Sequence, residues 1–327
     1  NLVLEAIEVN SQLSDGSYLR EKIAGISIEK MSDEQLIVWS QWVSQNHSPV
    51  LTTPDDWLLG IRRIQQLSAL SSFHVAVKYF WLAISRQKCF DSRFISPLLE
   101  FLPCCNDELL VPLLHFLLSL LPTDPVDPVD PVESLSFLSQ LVDTIAMLFT
   151  SLRGNQTIRS LLAMILTHDV FFHGVVPQKY HSLVSTILKN MTTGGSSLGS
   201  TFVPLFLAKL RDHVTVANQF VEELLFLFLM KEPREELAIT KTTPVLQPRI
   251  LALQFMESLI IAGNAQSLFD VVIPRLLEQA EKLSSSGCFV QNSEENGNRL
   301  RCWQALCVCA RSLSQELVIE CFPRFLR

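Results

Sequence analysis

The chain has 327 residues, 48% of them hydrophobic and 18% charged, with 11 Gly and 16 Pro. Its formal charge is −7, from 33 acidic and 26 basic side chains. These figures exclude a disordered tract, a collagen-like repeat and a highly charged coiled coil. A chain this long also buries a large core without disulfide staples, as one long domain or two average ones.

Helical spacing dominates. It predicts helices over 1–13, 17–30, 33–46, 54–69, 71–88, 92–102, 106–121, 133–153, 156–168, 177–190, 201–212, 214–230, 248–262, 265–284 and 298–326. Leu135, Leu138, Val142, Ile145, Phe149 and Leu152 illustrate the period, as do Leu251, Phe255 and Leu259. No segment alternates with the strand period between hairpin turns. Start signals agree with the helices. Ser32 with Gln35 forms a capping box, Thr53-Pro54-Asp55-Asp56 offers a cap, a first-turn Pro and two acids, and Asn106-Asp107-Glu108 repeats the device.

Four longer connections interrupt the series at 122–132, 191–200, 231–247 and 285–297. None carries a composition shift, so residues 1–327 read as a single helical-repeat domain with loop insertions. The first of these connections is a tandem Asp-Pro-Val tract. Proline at every third position favours extended polyproline II, which would present Asp124, Asp127, Asp130 and Glu133 on a stiff spacer. A solvated linker is the plain reading; a docking strip for a basic partner is the sharper one.

The chain opens without Met and closes inside an apolar helical pattern, so both ends are read as cut from a longer protein. NLVLEAIEVNSQL carries Glu5 and Glu8 and no basic start, unlike a signal peptide. The longest apolar run, Leu109 to Leu121, is about 13 residues, short of the roughly 20 that span a bilayer. With no secretory signal, the eight cysteines read as reduced thiols in a cytoplasmic or nuclear protein. The acidic balance argues against direct nucleic-acid binding.

Catalytic and metal motifs are weak. Gly195-Ser196-Ser197-Leu198-Gly199 follows a helix instead of a strand, so it reads as a loop and not a nucleophile elbow. Cys302, Cys307 and Cys309 lack the spacing of a zinc site and read as packing residues. His168-Asp169 and His173 sit near a helix end, where a cap, a buried polar contact or a cationic His facing the carbonyl dipole is expected. No catalytic residue, cofactor, metal or small-molecule substrate is indicated. Trp39 and Trp42 share a helix face with Trp57 soon after; exposed, the three would form a partner-binding hot spot, while buried they are core, which is the favoured reading. Leu224 to Met230 is apolar all round, as for a helix in the middle of a stack or under a partner.

One phrase recurs: an apolar residue, Pro, then an apolar helix. It stands at Ile95-Ser96-Pro97-Leu98, Val111-Pro112-Leu113, Val203-Pro204-Leu205, Ile273-Pro274-Arg275 and Phe322-Pro323-Arg324, with Pro expected near each helix start. On this phrase the chain resembles the HEAT/armadillo superfamily of α-solenoids. That resemblance implies an all-α, right-handed solenoid of stacked antiparallel helix pairs and a non-enzymatic scaffold binding other protein subunits of an intracellular complex. The alternatives are an adaptor or transport module with cargo on a concave face, and a helical accessory region of a nucleic-acid-acting enzyme.

Overall fold

A computed structural model describes residues 28–45, 53–66, 73–86, 91–122, 131–151, 155–173, 175–192, 198–230, 248–262, 266–285 and 294–309, with 315, 316, 319 and 323. The fold is all-α, with no strand among the described residues. Helices expected over 1–13 and most of 17–30, and the loop at 231–247, lie outside them.

Two compact units divide the chain, the first formed by residues 1–122 and 143–161, the second by 123–142 and 162–327. In the first, α1 (Asp33–Gln45), α2 (Pro54–Gln66), α3 (Phe73–Arg86), α4 (Ile95–Phe101) and α5 (Asp107–Leu120) follow in order. Helix α3 packs on α1, α2 and α5, and α4 packs on α5. The expected caps form. Ser32 Oγ accepts from Gln35 N–H at 3.3 Å while Gln35 Oε1 accepts from Ser32 N–H at 2.9 Å. Thr53 and Asp56 make the equivalent reciprocal pair, and Asn106 Oδ1 accepts from Leu109 N–H at 3.2 Å. Each satisfies backbone donors that a helix start leaves without partners.

Helices α6 (Pro131–Ser151) and α7 (Gln156–Leu166) contain the divisions between the units. The second unit continues with α8 (Gln178–Thr192), α9 (Leu198–Asp212), the single turn α10 (Val214–Ala217), α11 (Val221–Leu229), α12 (Pro248–Ala262), α13 (Gln266–Ser285) and α14 (Glu294–Cys309). Here α8 packs on α9 and α11, and α9 on α12. Helix α11 packs on α12, α13 and α14, while α14 packs on α12 and α13. Helix α11 is central to these contacts, with Val221, Leu224, Leu225, Leu227 and Phe228 buried.

Several expectations are corrected. Residues 131–132, 191–192, 198–200, 285 and 294–297 are helical where loop was expected. Glu133 is the third residue of α6 and so is helical, not extended. Pro97 does stand in the first turn of α4, but Pro112, Pro204 and Pro274 lie inside α5, α9 and α13. This agrees with the expected ranges 106–121, 201–212 and 265–284 and corrects only the reading of these prolines as marks of a helix start. In α5 the Asn106 cap and burial of Leu109 and Leu110 set the start, and the helix tolerates the rung that Pro cannot donate. The helix expected over 214–230 is broken by a 3₁₀ turn, Asn218–Phe220, whose Gln219 side chain accepts from Val176 N–H at 2.9 Å.

Candidate functional site

The aromatic residues singled out from the sequence do not form a surface. Trp39 and Trp57 are fully buried, with ring centroids 5.0 Å apart, and Phe80 stands edge-on to Trp57 at 5.1 Å. They are core, and a partner-binding role for these two is withdrawn because no face of either ring reaches solvent. Trp42 is half-buried, one turn further along α1. Gly60 on α2 lets Phe80 approach, since a Cβ there would lie 2.3 Å from Phe80 Cζ. Asp124, Asp127 and Asp130 lie outside the described residues, as does Ser197 of the G-x-S-x-G stretch.

Cys302 is buried, as the packing reading expects, Cys307 is exposed, and the side chain of Cys309 lies outside the described residues. Burial pushes the Cys302 thiol up to about 11, leaving it protonated and unreactive at neutral pH. Among the described residues no three His, Cys, Asp or Glu side chains converge as metal ligands.

The polar chemistry gathers in the second unit, around an aromatic core of Phe171, Phe172, Tyr180, Phe206 and Phe220. Phe171 stacks on Tyr180 with centroids 4.5 Å apart, and Phe206 meets Phe220 edge-on at 5.1 Å. Two polar groups are built on this core.

The first lies between α8 and α11. Glu223 is 5% exposed, accepts from Ser185 Oγ at 2.8 Å and has His181 Nδ1 at 3.8 Å. His181 in turn packs on Phe220, 4.5 Å between centroids. Burial pushes the Glu223 carboxyl upward, but His181, Ser185 and its own backbone N–H outweigh that and hold it below the usual range. Ser185 donates to the carboxylate, not to an imidazole, so this arrangement pins two helices together and does not activate a serine.

The second lies where α7, the following turn and the end of α9 meet. Asp169 Oδ1 accepts from Lys209 Nζ at 2.6 Å and faces His213 Nε2 at 3.3 Å. Burial raises its carboxyl, and the contacts with Lys209 first and His213 second more than offset this to leave it lowered. His173 stands edge-on to His213 at 5.7 Å. His168 does not act as a cation at the end of α7. Its Nδ1 accepts from Val170 N–H at 3.4 Å, capping the 3₁₀ turn Asp169–Phe171, and burial pulls its imidazole below the ordinary value. The end of α7 is closed instead by Thr167 Oγ1 on the Ala163 carbonyl at 2.8 Å and by the Tyr180 hydroxyl on that of Leu166.

Of these residues, sequence reasoning flagged only His168, Asp169 and His173. Glu223 is one of two adjacent acids, with Glu222, in the first turn of an apolar helix, so nothing local distinguishes it. Lys209, His213, Ser185 and His181 carried no signal either, because partners 38 to 44 residues away define them.

No helix among the described residues is long and apolar enough to cross a membrane. No protein-family model matches the chain, and no curated protein or solved structure matches it.

Proposed function

We propose that the protein is a non-enzymatic scaffold, a subunit that holds other proteins within a larger intracellular complex. In this reading its helices are divergent HEAT/armadillo-like repeats of a right-handed α-solenoid. The observation that carries the reading is the packing order in the second unit. Helices α8, α11 and α13 follow one another in one row, α9, α12 and α14 in another, and the pairs α8/α9, α11/α12 and α13/α14 join the rows. Stacked helix pairs give this pattern, since each repeat buries its apolar face on the next. The first unit repeats it in part, with α1, α3 and α5 in succession. The polar groups described above bind helices to each other, which suits a framework better than a reaction centre.

Native affinity capture of the protein from cells, with and without nuclease, tests this. Stoichiometric protein partners that survive nuclease and moderate salt are expected. Association that depends on nucleic acid and weakens steeply with salt would replace the scaffold by the nucleic-acid accessory reading.

A further inference from the structure

The turn between α7 and α8 carries two backbone hydrogen bonds, Phe171 N–H on the His168 carbonyl and Phe172 N–H on that of Asp169, and a side-chain acceptor at each end. At its start His168 Nδ1 accepts from Val170 N–H; near its end Val176 N–H donates to Gln219. Between them Phe171 and Phe172 are each 1% exposed in the aromatic core, and Asp169 reaches Lys209 and His213 on and just after α9. Helix and turn caps are ordinarily Ser, Thr, Asp or Asn, whose oxygens accept at any physiological pH. A histidine cap differs, because only the neutral ring has an acceptor nitrogen. The acceptor role at Nδ1 places the single proton on Nε2.

From this geometry we infer that the 168–173 turn is a pH-sensitive clasp, closed while His168 is neutral and released when His168 gains a proton. Protonation converts Nδ1 from acceptor to donor, so it faces another donor and the cap is lost. The new charge also enters a half-buried position. The groups acting on it are Asp169, which attracts it, and Lys209 and His173, which repel it. The attraction of Asp169 exceeds either repulsion, but burial outweighs it and the neutral ring is favoured. Release frees Phe171 and Phe172 from Tyr180, Phe206 and Phe220, and so loosens the contact of the turn with α8 and α9. This device is independent of the scaffold reading and stands or falls on the turn alone.

Hydrogen exchange of the intact protein tests it, followed from about pH 7.5 to about pH 5 across the ordinary imidazole value of 6.5 and scaled for intrinsic exchange. Amides of 168–173 are expected to lose protection several-fold more than those of α12 and α13. The variants His168→Asn and His168→Ser keep a capping acceptor that does not titrate, and should abolish that local loss while leaving the turn protected at neutral pH. No selective loss in the native protein, or an equal loss in the variants, overturns the clasp. Should the variants fail to fold, the ¹⁵N resonances of His168 in the native protein decide. An unprotonated Nδ1 at pH 7.5 that titrates together with the loss supports the clasp, and a protonated Nδ1 or a separate titration refutes it.

Discussion

In the first unit Trp39, Trp57 and Phe80 meet through ring surface alone, and the indole N–H of each tryptophan is buried without a hydrogen-bond partner. In the second, the rings around Phe220 enclose polar atoms that are matched: the Tyr180 hydroxyl on the Leu166 carbonyl and the Glu223 carboxylate on Ser185 and beside His181. One core is specified by shape, the other by shape and by hydrogen bonds between chosen helices. A polar contact in a low-dielectric interior fixes which elements meet, because any other pairing leaves a donor or acceptor unsatisfied. It also makes the second core answer to pH.

The comparison breaks most visibly under truncation. Phe220→Ala and Trp57→Ala should each cost about 3–5 kcal/mol, since both remove a fully buried ring, and chemical denaturation would read both. Ser185→Ala should cost about 2 kcal/mol by withdrawing a hydrogen bond from a buried carboxylate. Replacing Gly60 by Ala would stabilise an ordinary helix by up to about 1 kcal/mol. Here it should destabilise by about 1–3 kcal/mol, because the buried Phe80 ring must shift off Trp57. Tyr180→Phe, which deletes one atom, should cost about 1 kcal/mol by leaving the Leu166 carbonyl without its donor.

Acid sharpens the contrast further. Glu223 and Asp169 have carboxyls below their ordinary 4.5 and 3.8, so their stabilisation is complete above those values and is lost as pH falls through the folded-state ones. His168 has an imidazole below its ordinary 6.5, so its neutral form supports the fold above that pH and the support declines below it. Stability should therefore fall in two stages on acidification, the His168 stage first. Thermal unfolding across pH, compared with His168→Asn, separates the stages.

Most of the helices among the described residues, and several of their caps, were legible in the sequence. Periodicity and local side chains such as Ser32, Thr53 and Asn106 suffice for these, since cap and helix lie within four residues. The prolines were legible in part: the periodicity ranges 106–121, 201–212 and 265–284 already enclose Pro112, Pro204 and Pro274, whereas the local rule that places Pro at a helix start does not hold for them, as where Asn106 and the buried Leu109 and Leu110 set the start. The break before Val221 was not legible, since there Gln219 answers a backbone donor 43 residues away. The polar groups were hidden for the same reason. His168 and Asp169 stand out as polar residues at a helix end, but which nitrogen accepts, and from whom, is settled only by the fold.

The scaffold reading is tested most directly by crosslinking mass spectrometry on the protein captured with its partners. Crosslinks to defined proteins should concentrate on one helix row, either that of α8, α11 and α13 or that of α9, α12 and α14. Crosslinks scattered evenly over both rows, or a protein recovered with no stable protein partner, would contradict it.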